Sequence, residues 1–184
     1  MVWISVAALS ATRRCCMGSR FLVSQNKGDV DWVRLAEIFE KAPFAKRNPP
    51  DIQRAFENSY TSCFAYDDTL LIGAARALSD GVYYAIVFDV VVAIEYQGMG
   101  VGRTLMGALL KNLPFDKIFL TAPPDKQGFY RKFGFYKHNN AMGRYAHPEQ
   151  AFEYGVLSRW EQAATRTFWW SKSSYEPRPD KKPD

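Results

Sequence analysis

The chain of 184 residues is 47% hydrophobic, enough for one globular body with a real core and modest tails, and no apolar run in it is long enough to span a bilayer. Its net charge of +5 sits at the ends: residues 1–28 hold Arg13, Arg14, Arg20 and Lys27 with no acid, residues 171–184 add one net positive charge, and the stretch between is neutral. A neutral body with a basic start is not the footprint of a nucleic-acid binder, so neither a nucleic acid nor a membrane is expected as a partner.

Along the chain, Met1 to Ala11 is small and apolar, but the arginines follow the apolar run, the wrong order for a secretory signal. Serines, arginines and no acid before Asp29 suit an organelle transit peptide; an unstructured lead with the start at Met17 is the equal alternative. Residues 1–19 are therefore set outside the fold, which is expected over 20–157, with a helix and tail over 158–184. The location expected is the cytoplasm, or a chloroplast or mitochondrion if 1–19 is an address.

Arg20 to Ser24 reads as a first strand. Asp31 to Lys41 places Trp32, Leu35, Ala36, Ile38 and Phe39 on a helical stripe, with Asp29 or Asp31 as its cap. Pro43 and Asn48-Pro49-Pro50 interrupt the chain before a second helix, about Asp51 to Ser59, with Ile52, Ala55 and Phe56 on one side. Thr61 to Tyr66, the turn Asp67-Asp68 and Thr69 to Leu78 form a hairpin signal, and Asp80-Gly81 turns into a long strand from Val82 to Val92. Helix 100–112, strand 117–122, helix 126–133 and a strand pair near 135–138 and 142–146 follow. Phe152 to Leu157 reads as an added edge strand. Arg159 to Trp170 reads as a weakly amphipathic helix whose Phe168-Trp169-Trp170 either docks on the domain, the favoured reading, or serves a partner, and 171–184, with Pro177, Pro179 and Pro183, as a mobile tail. Cys15, Cys16 and Cys63 form neither a disulfide framework nor zinc spacing, and His138 and His147 are the only histidines, so no metal and a reducing compartment are expected.

The chemistry gathers where the long apolar strand Asp89-Val90-Val91-Val92 feeds Gln97-Gly98-Met99-Gly100-Val101-Gly102-Arg103 and then a helix. Glycines at 98, 100 and 102 let several backbone N–H groups converge, and the helix adds the positive end of its dipole, a combination suited to phosphate. The spacing is neither a dinucleotide fingerprint, since Arg103 stands where a third glycine belongs, nor a nucleotide-triphosphate loop. Downstream lies Gly128-Phe129-Tyr130-Arg131-Lys132-Phe133-Gly134-Phe135, in which Gly134 is placed to end a short helix with Arg131 and Lys132 in its last turn.

Gln97-x-x-Gly100-x-Gly102 resembles the acetyl-coenzyme A signature of the GCN5-related N-acetyltransferase (GNAT) superfamily, and Phe129 to Phe135 resembles its second signature. Both occur in the right order with a strand between them. The resemblance covers roughly 20–146 and implies an α/β (α+β) fold: a mixed central sheet of about six or seven strands with splayed central strands, flanked by about four helices. Within the superfamily, Gly73-Ala74-Ala75-Arg76 with Ser79-Asp80, and Asp89-Val90-Val91-Val92 with Glu95-Tyr96-Gln97-Gly98, look like the branch of plant and cyanobacterial serotonin (arylalkylamine) N-acetyltransferase-like proteins. Ile94 replaces the branch's usual proline, and Ala122 to Gly128 lacks the asparagine with which many members hold the cofactor.

The resemblance implies acetyl-coenzyme A as cosubstrate and a primary amine of a small molecule, of arylalkylamine or polyamine type, as acceptor. It assigns the backbone N–H of Val90 to the thioester oxyanion, Val90, Val91 and Val92 to the pantetheine arm, and Gln97, Gly98, Met99, Gly100, Val101, Gly102 and Arg103 to the pyrophosphate. It places Tyr130 by the sulfur, as proton donor to the leaving thiolate or as a packing residue. Asp89 is either the acid that holds the acceptor amine and relays its proton, or a structural carboxylate bonded to a neighbouring loop. Glu95, Asp80 and Tyr84 are lesser candidates. The alternatives are acetylation of protein lysines or N-termini and, in another class, a coenzyme A-binding module without turnover, which the presence of both signatures disfavours. A homodimer is left open.

Overall fold

Five strands form one sheet in sequence order: β1 (Leu22–Ser24), β2 (Thr61–Asp67), β3 (Leu70–Ser79), β4 (Tyr84–Val92) and β5 (Lys117–Leu120). The first four pair antiparallel and β5 joins β4 in parallel. The computed structural model describes residues 21–42, 46–146, 148–153 and 155–158, and the chain divides into two compact units, Met1–Thr121 and Ala122–Asp184. The expected transit segment 1–19 and the aromatic helix 159–170 lie outside the described residues.

In the first unit, helix α1 (Trp32–Lys41) starts where the Asp31 side chain accepts from the Arg34 N–H, and it buries Leu35, Ile38 and Phe39. Such a cap contributes about 1 kcal/mol. Helix α2 (Pro49–Glu57) is capped by Asn48 and buries Ile52 and Phe56. Pro49 and Pro50, read as interruptions, instead occupy the first helical positions, where a missing N–H costs nothing. These helices meet one face of the sheet in a cluster with Phe64, Leu71, Ala74, Val91 and Ala93. Helix α3 (Val101–Lys111) packs against β2, β3 and β4 and buries Val101, Leu105, Met106 and Leu109. A Cβ on Gly73 would come within 3.1 Å of Leu105 Cδ1 and 2.7 Å of the Val91 carbonyl oxygen, so at this position the backbone of β4 and the side chain of Leu105 come closer than a side chain would allow.

In the second unit, a short 3-10 turn (Pro124–Lys126) leads into α4 (Gln127–Arg131), and α5 spans Glu149–Glu153. The expected strands at 135–138 and 142–146 are absent: that stretch is irregular and mostly exposed, so among the described residues the sheet holds five strands, not six or seven. Local bonding competes with a ladder here, as where the Asn140 N–H donates to His138 Nδ1 at 3.2 Å. The expected edge strand at 152–157 is also corrected. Pro148 starts a helical turn, the Val156 and Leu157 N–H groups return to the Ala151 carbonyl, and Gly155 ends it at φ +66°.

Candidate functional site

Strand β4 is paired on both sides only in its first half. Its ladder with β5 runs from Tyr84↔Lys117 to Val87↔Leu120 and stops there, while β3 continues to accompany it to Gly73↔Val92. The β3 register passes from Ala77↔Val87 to Ala75↔Val90, so Phe88 and Asp89 together oppose Arg76: a β-bulge. Beyond it the Ala93 N–H donates to the Ile72 carbonyl at 2.8 Å. By the strand's alternation Val91 also faces β3, and Val90 and Val92 turn their backbone groups to the side that β5 does not reach. The Val92 carbonyl on that side accepts from Gln97 Nε2 at 3.0 Å, so the first residue of the glycine signature ties the turn to the strand end.

The turn itself is backbone chemistry. A single 3-10 turn (Ile94–Tyr96) precedes Gln97, and Gly98 and Gly100 take φ of +77° and +91°, which L side chains adopt only under strain. A Cβ at either would meet nothing within 4 Å, so their need is conformational and the space over the turn is open. Gly98, Met99, Gly100 and Arg103 are exposed, Gly102 is half-buried and Val101 is buried. The Thr104 N–H bonds back to the Gly100 carbonyl, whereas the N–H groups of Val101, Gly102 and Arg103 precede any intrahelical acceptor, and no acid occupies this first turn.

Asp89 projects to the opposite face of the sheet, toward α1 and α2, and is 4% exposed. One carboxylate oxygen accepts from Arg47 Nη1 at 3.0 Å and the other from Arg76 Nε at 2.5 Å. The Arg76 guanidinium lies over the rings of Phe88 (5.2 Å) and Phe56 (5.8 Å), and that of Arg47 over Phe39 (4.7 Å). Arg47 also lines an open groove with Val33, Ala36, Glu37 and Glu40. Neither arginine stood out as a partner of Asp89 in the sequence. The signal available was Arg76 itself, a charge within an apolar strand, which needs a buried partner.

The lesser candidates have structural partners. Asp80 accepts from the N–H groups of Val82, Tyr83 and Tyr84, which hold its carboxyl below the usual range and shape the β3–β4 turn. Glu95, its pKa lowered first by its own backbone N–H, pairs with Arg34 of α1 at 3.4 Å. Tyr84 lies beneath the Lys117 ammonium at 5.3 Å.

In the second unit, α4 ends as its sequence requires. Gly134 has φ +83°, its N–H bonds to the Arg131 carbonyl, and the Phe135 N–H reaches the Tyr130 carbonyl, a Schellman termination sealed by the Tyr130 and Phe135 rings 6.2 Å apart. The Tyr130 ring also sits 5.0 Å from that of Phe129. Burial raises the Tyr130 phenol above its ordinary pKa, so it is held as a proton donor.

Residues 58–137 match the family described as acetyltransferase (GNAT) domain. The chain is 35% identical over 122 residues to serotonin N-acetyltransferase 2, chloroplastic, of Oryza sativa subsp. japonica, a match covering 62% of this chain and 61% of the rice protein. It therefore spans less than two thirds of that relative's length. It is 34% identical over 119 residues to uncharacterized N-acetyltransferase ycf52 of Porphyra purpurea, covering 61% of this chain and 68% of that one. In fold it resembles the crystal structure of protein SA2161 of meticillin-resistant Staphylococcus aureus, with a TM-score of 0.61, 21% identity, and coverage of 69% of this chain and 98% of that one.

Proposed function

The chain belongs to the GNAT acetyltransferase family, and from that premise we propose that it transfers an acetyl group from acetyl-coenzyme A to a primary amine of a small molecule. The observation that carries this reading is the run from the open edge of β4 into the glycine turn. Val90 and Val92 face the side where β5 ends, and five residues beyond Val92 the turn begins that leads to the bare first-turn N–H groups of α3. In this reading the pantetheine arm lies along the free edge, the pyrophosphate sits over residues 97–103, and Arg103 adds charge from the rim. The Val90 N–H donates to the thioester oxygen as negative charge develops there, and removing such a donor typically costs on the order of a hundredfold in rate. As the neutral amine nitrogen bonds to the acetyl carbon and the carbon–sulfur bond breaks, the nitrogen's surplus proton passes to solvent water, and Tyr130, kept protonated by burial, gives its proton to the departing thiolate and is reprotonated from water.

On the acceptor side, the carboxylate at the bulge is already neutralised by two arginines, while Phe88 stands half exposed beside them. This favours an aromatic amine over a polyamine, which needs free carboxylates as counter-ions. The name of the rice relative points the same way. The word chloroplastic in that name also supports reading residues 1–19 as an organelle address, which an import assay with isolated chloroplasts tests.

The experiment is thiol release from acetyl-coenzyme A against serotonin, tryptamine, spermidine and lysine peptides. Release dependent on the aromatic amines is the expected result. Release with lysine peptides alone would replace the small-molecule reading with protein acetylation. Tight binding of acetyl-coenzyme A with no release for any amine would leave a binding module without turnover.

A further inference from the structure

A bulge is the soft point of a ladder, because its extra residue has no cross-strand partner to hold it. Here the extra residue adjoins Val90, and what holds it is a cluster of side chains. Asp89 receives Arg76 from the strand position directly opposite the bulge and Arg47 from the connection between α1 and α2, one guanidinium on each oxygen. Arg76 also reaches Ser59 Oγ at 3.5 Å, and Ser59 Oγ donates to the Ala55 carbonyl of α2 at 2.7 Å. Ser62, the ladder partner of Arg76, is buried as well. Among the described residues, the buried polar or charged side chains are therefore Ser59, Ser62 and Asp89, all gathered about Arg76. An ion pair taken out of water adds little stability over apolar residues of the same volume; what it adds is a fixed geometry. A carboxylate that is almost wholly buried, with a guanidinium on each oxygen, is shielded from an ammonium arriving from solvent and has its charge already compensated.

We infer that Asp89, with Arg76 and Arg47 acting through it, is a positioning residue that fixes the bulge and thereby aims the Val90 N–H. The inference deepens the transfer reading above and rests on Val90 as the oxyanion donor there. It sets Asp89 apart from proton transfer and brings Arg47 and Arg76 into the machinery as residues that never touch the acceptor.

The test uses the full chain with Asp89→Asn, Arg76→Gln, Arg47→Gln and the double variant Arg76→Gln/Asp89→Asn. The readouts are kcat and KM across neutral to alkaline pH, acetyl-coenzyme A binding by calorimetry, and hydrogen exchange at the Val91 amide, the one next to the bulge that faces β3. Asp89→Asn and Arg76→Gln are each expected to lower kcat on the order of tenfold, with binding and the shape of the pH profile kept and with faster exchange at Val91. Arg47→Gln has the smallest effect, and the double variant falls no further than the worse single one, as residues acting as a unit do. The inference is overturned if Asp89→Asn alone loses on the order of a thousandfold and its acidic pH limb while Arg76→Gln is near wild type, the pattern of a general base. It is equally overturned if all variants keep wild-type kcat and Val91 exchange. Should the wild-type protein release no thiol with any amine, the transfer reading fails on its own, and exchange at Val91 still decides whether the clamp sets the bulge.

Discussion

The glycine turn at 97–103 and the bulge at 88–89 belong to one strand–turn–helix unit, yet the first is built from what its residues lack and the second from what they carry. At the turn, Gly98 and Gly100 adopt left-handed backbone with open space above them, and N–H groups are presented without side chains in the way. At the bulge, a buried carboxylate is gripped by two guanidiniums, one 13 and one 42 residues distant in sequence. The turn is a local solution, held by Gln97 and by its own backbone bonds. The bulge is a non-local one, and it joins α1–α2, β3 and β4. A surface for a charged ligand and a frame for a reacting bond thus use opposite means within a few residues.

That contrast can be broken most sharply at β4. Val90→Pro removes a backbone N–H on the side β5 does not reach, so it spares the ladder. It is expected to lower kcat about a hundredfold or more while thermal unfolding changes little. Val91→Pro removes an N–H that faces β3 and is expected to cost about 1–3 kcal/mol of stability, read by denaturant unfolding. Equal behaviour of the two would erase the distinction between the paired and open sides.

Tyr130→Phe tests the component that neither region supplies, and kcat should fall on the order of a hundredfold with acetyl-coenzyme A affinity kept. Because burial raises this phenol's pKa, the donor form persists through and beyond the ordinary phenol range and is lost only at still more alkaline pH. The wild-type rate should therefore decline only in that alkaline range, and the variant should lack the decline. Gly73→Val, next in size, forces a Cβ against the Val91 carbonyl and is expected to destabilise by about 2 kcal/mol, read by unfolding. Gly100→Ala, the smallest, meets no atom but strains the left-handed backbone by about 1 kcal/mol and weakens acetyl-coenzyme A binding roughly tenfold, read by calorimetry.

The same contrast explains what the sequence disclosed. Conformational demands leave residue types behind: the glycines of the turn, Gly134 at the end of α4, Asp31 and the stripe of α1 were all legible, as was the order of strands β2 to β5. The Asp89 clamp was not, because its pairing depends on a bulge and on Arg47, which only the folded chain brings near. Of the two roles open to Asp89, the sequence favoured neither. The strands expected at 135–146 failed for a related reason. Their aromatic residues have strand propensity, but Tyr136 and Met142 remain exposed and no strand among the described residues pairs with them, so propensity found no support there.

The most direct test of the account is an amide-resolved NMR titration of the isotope-labelled protein with acetyl-coenzyme A. The account predicts the largest shifts at Val90, Val92 and residues 98–103, with Val91 and the doubly paired stretch Ala85 to Val87 little moved. Saturation with shifts centred elsewhere, or with Val91 moving as much as Val90, would contradict it.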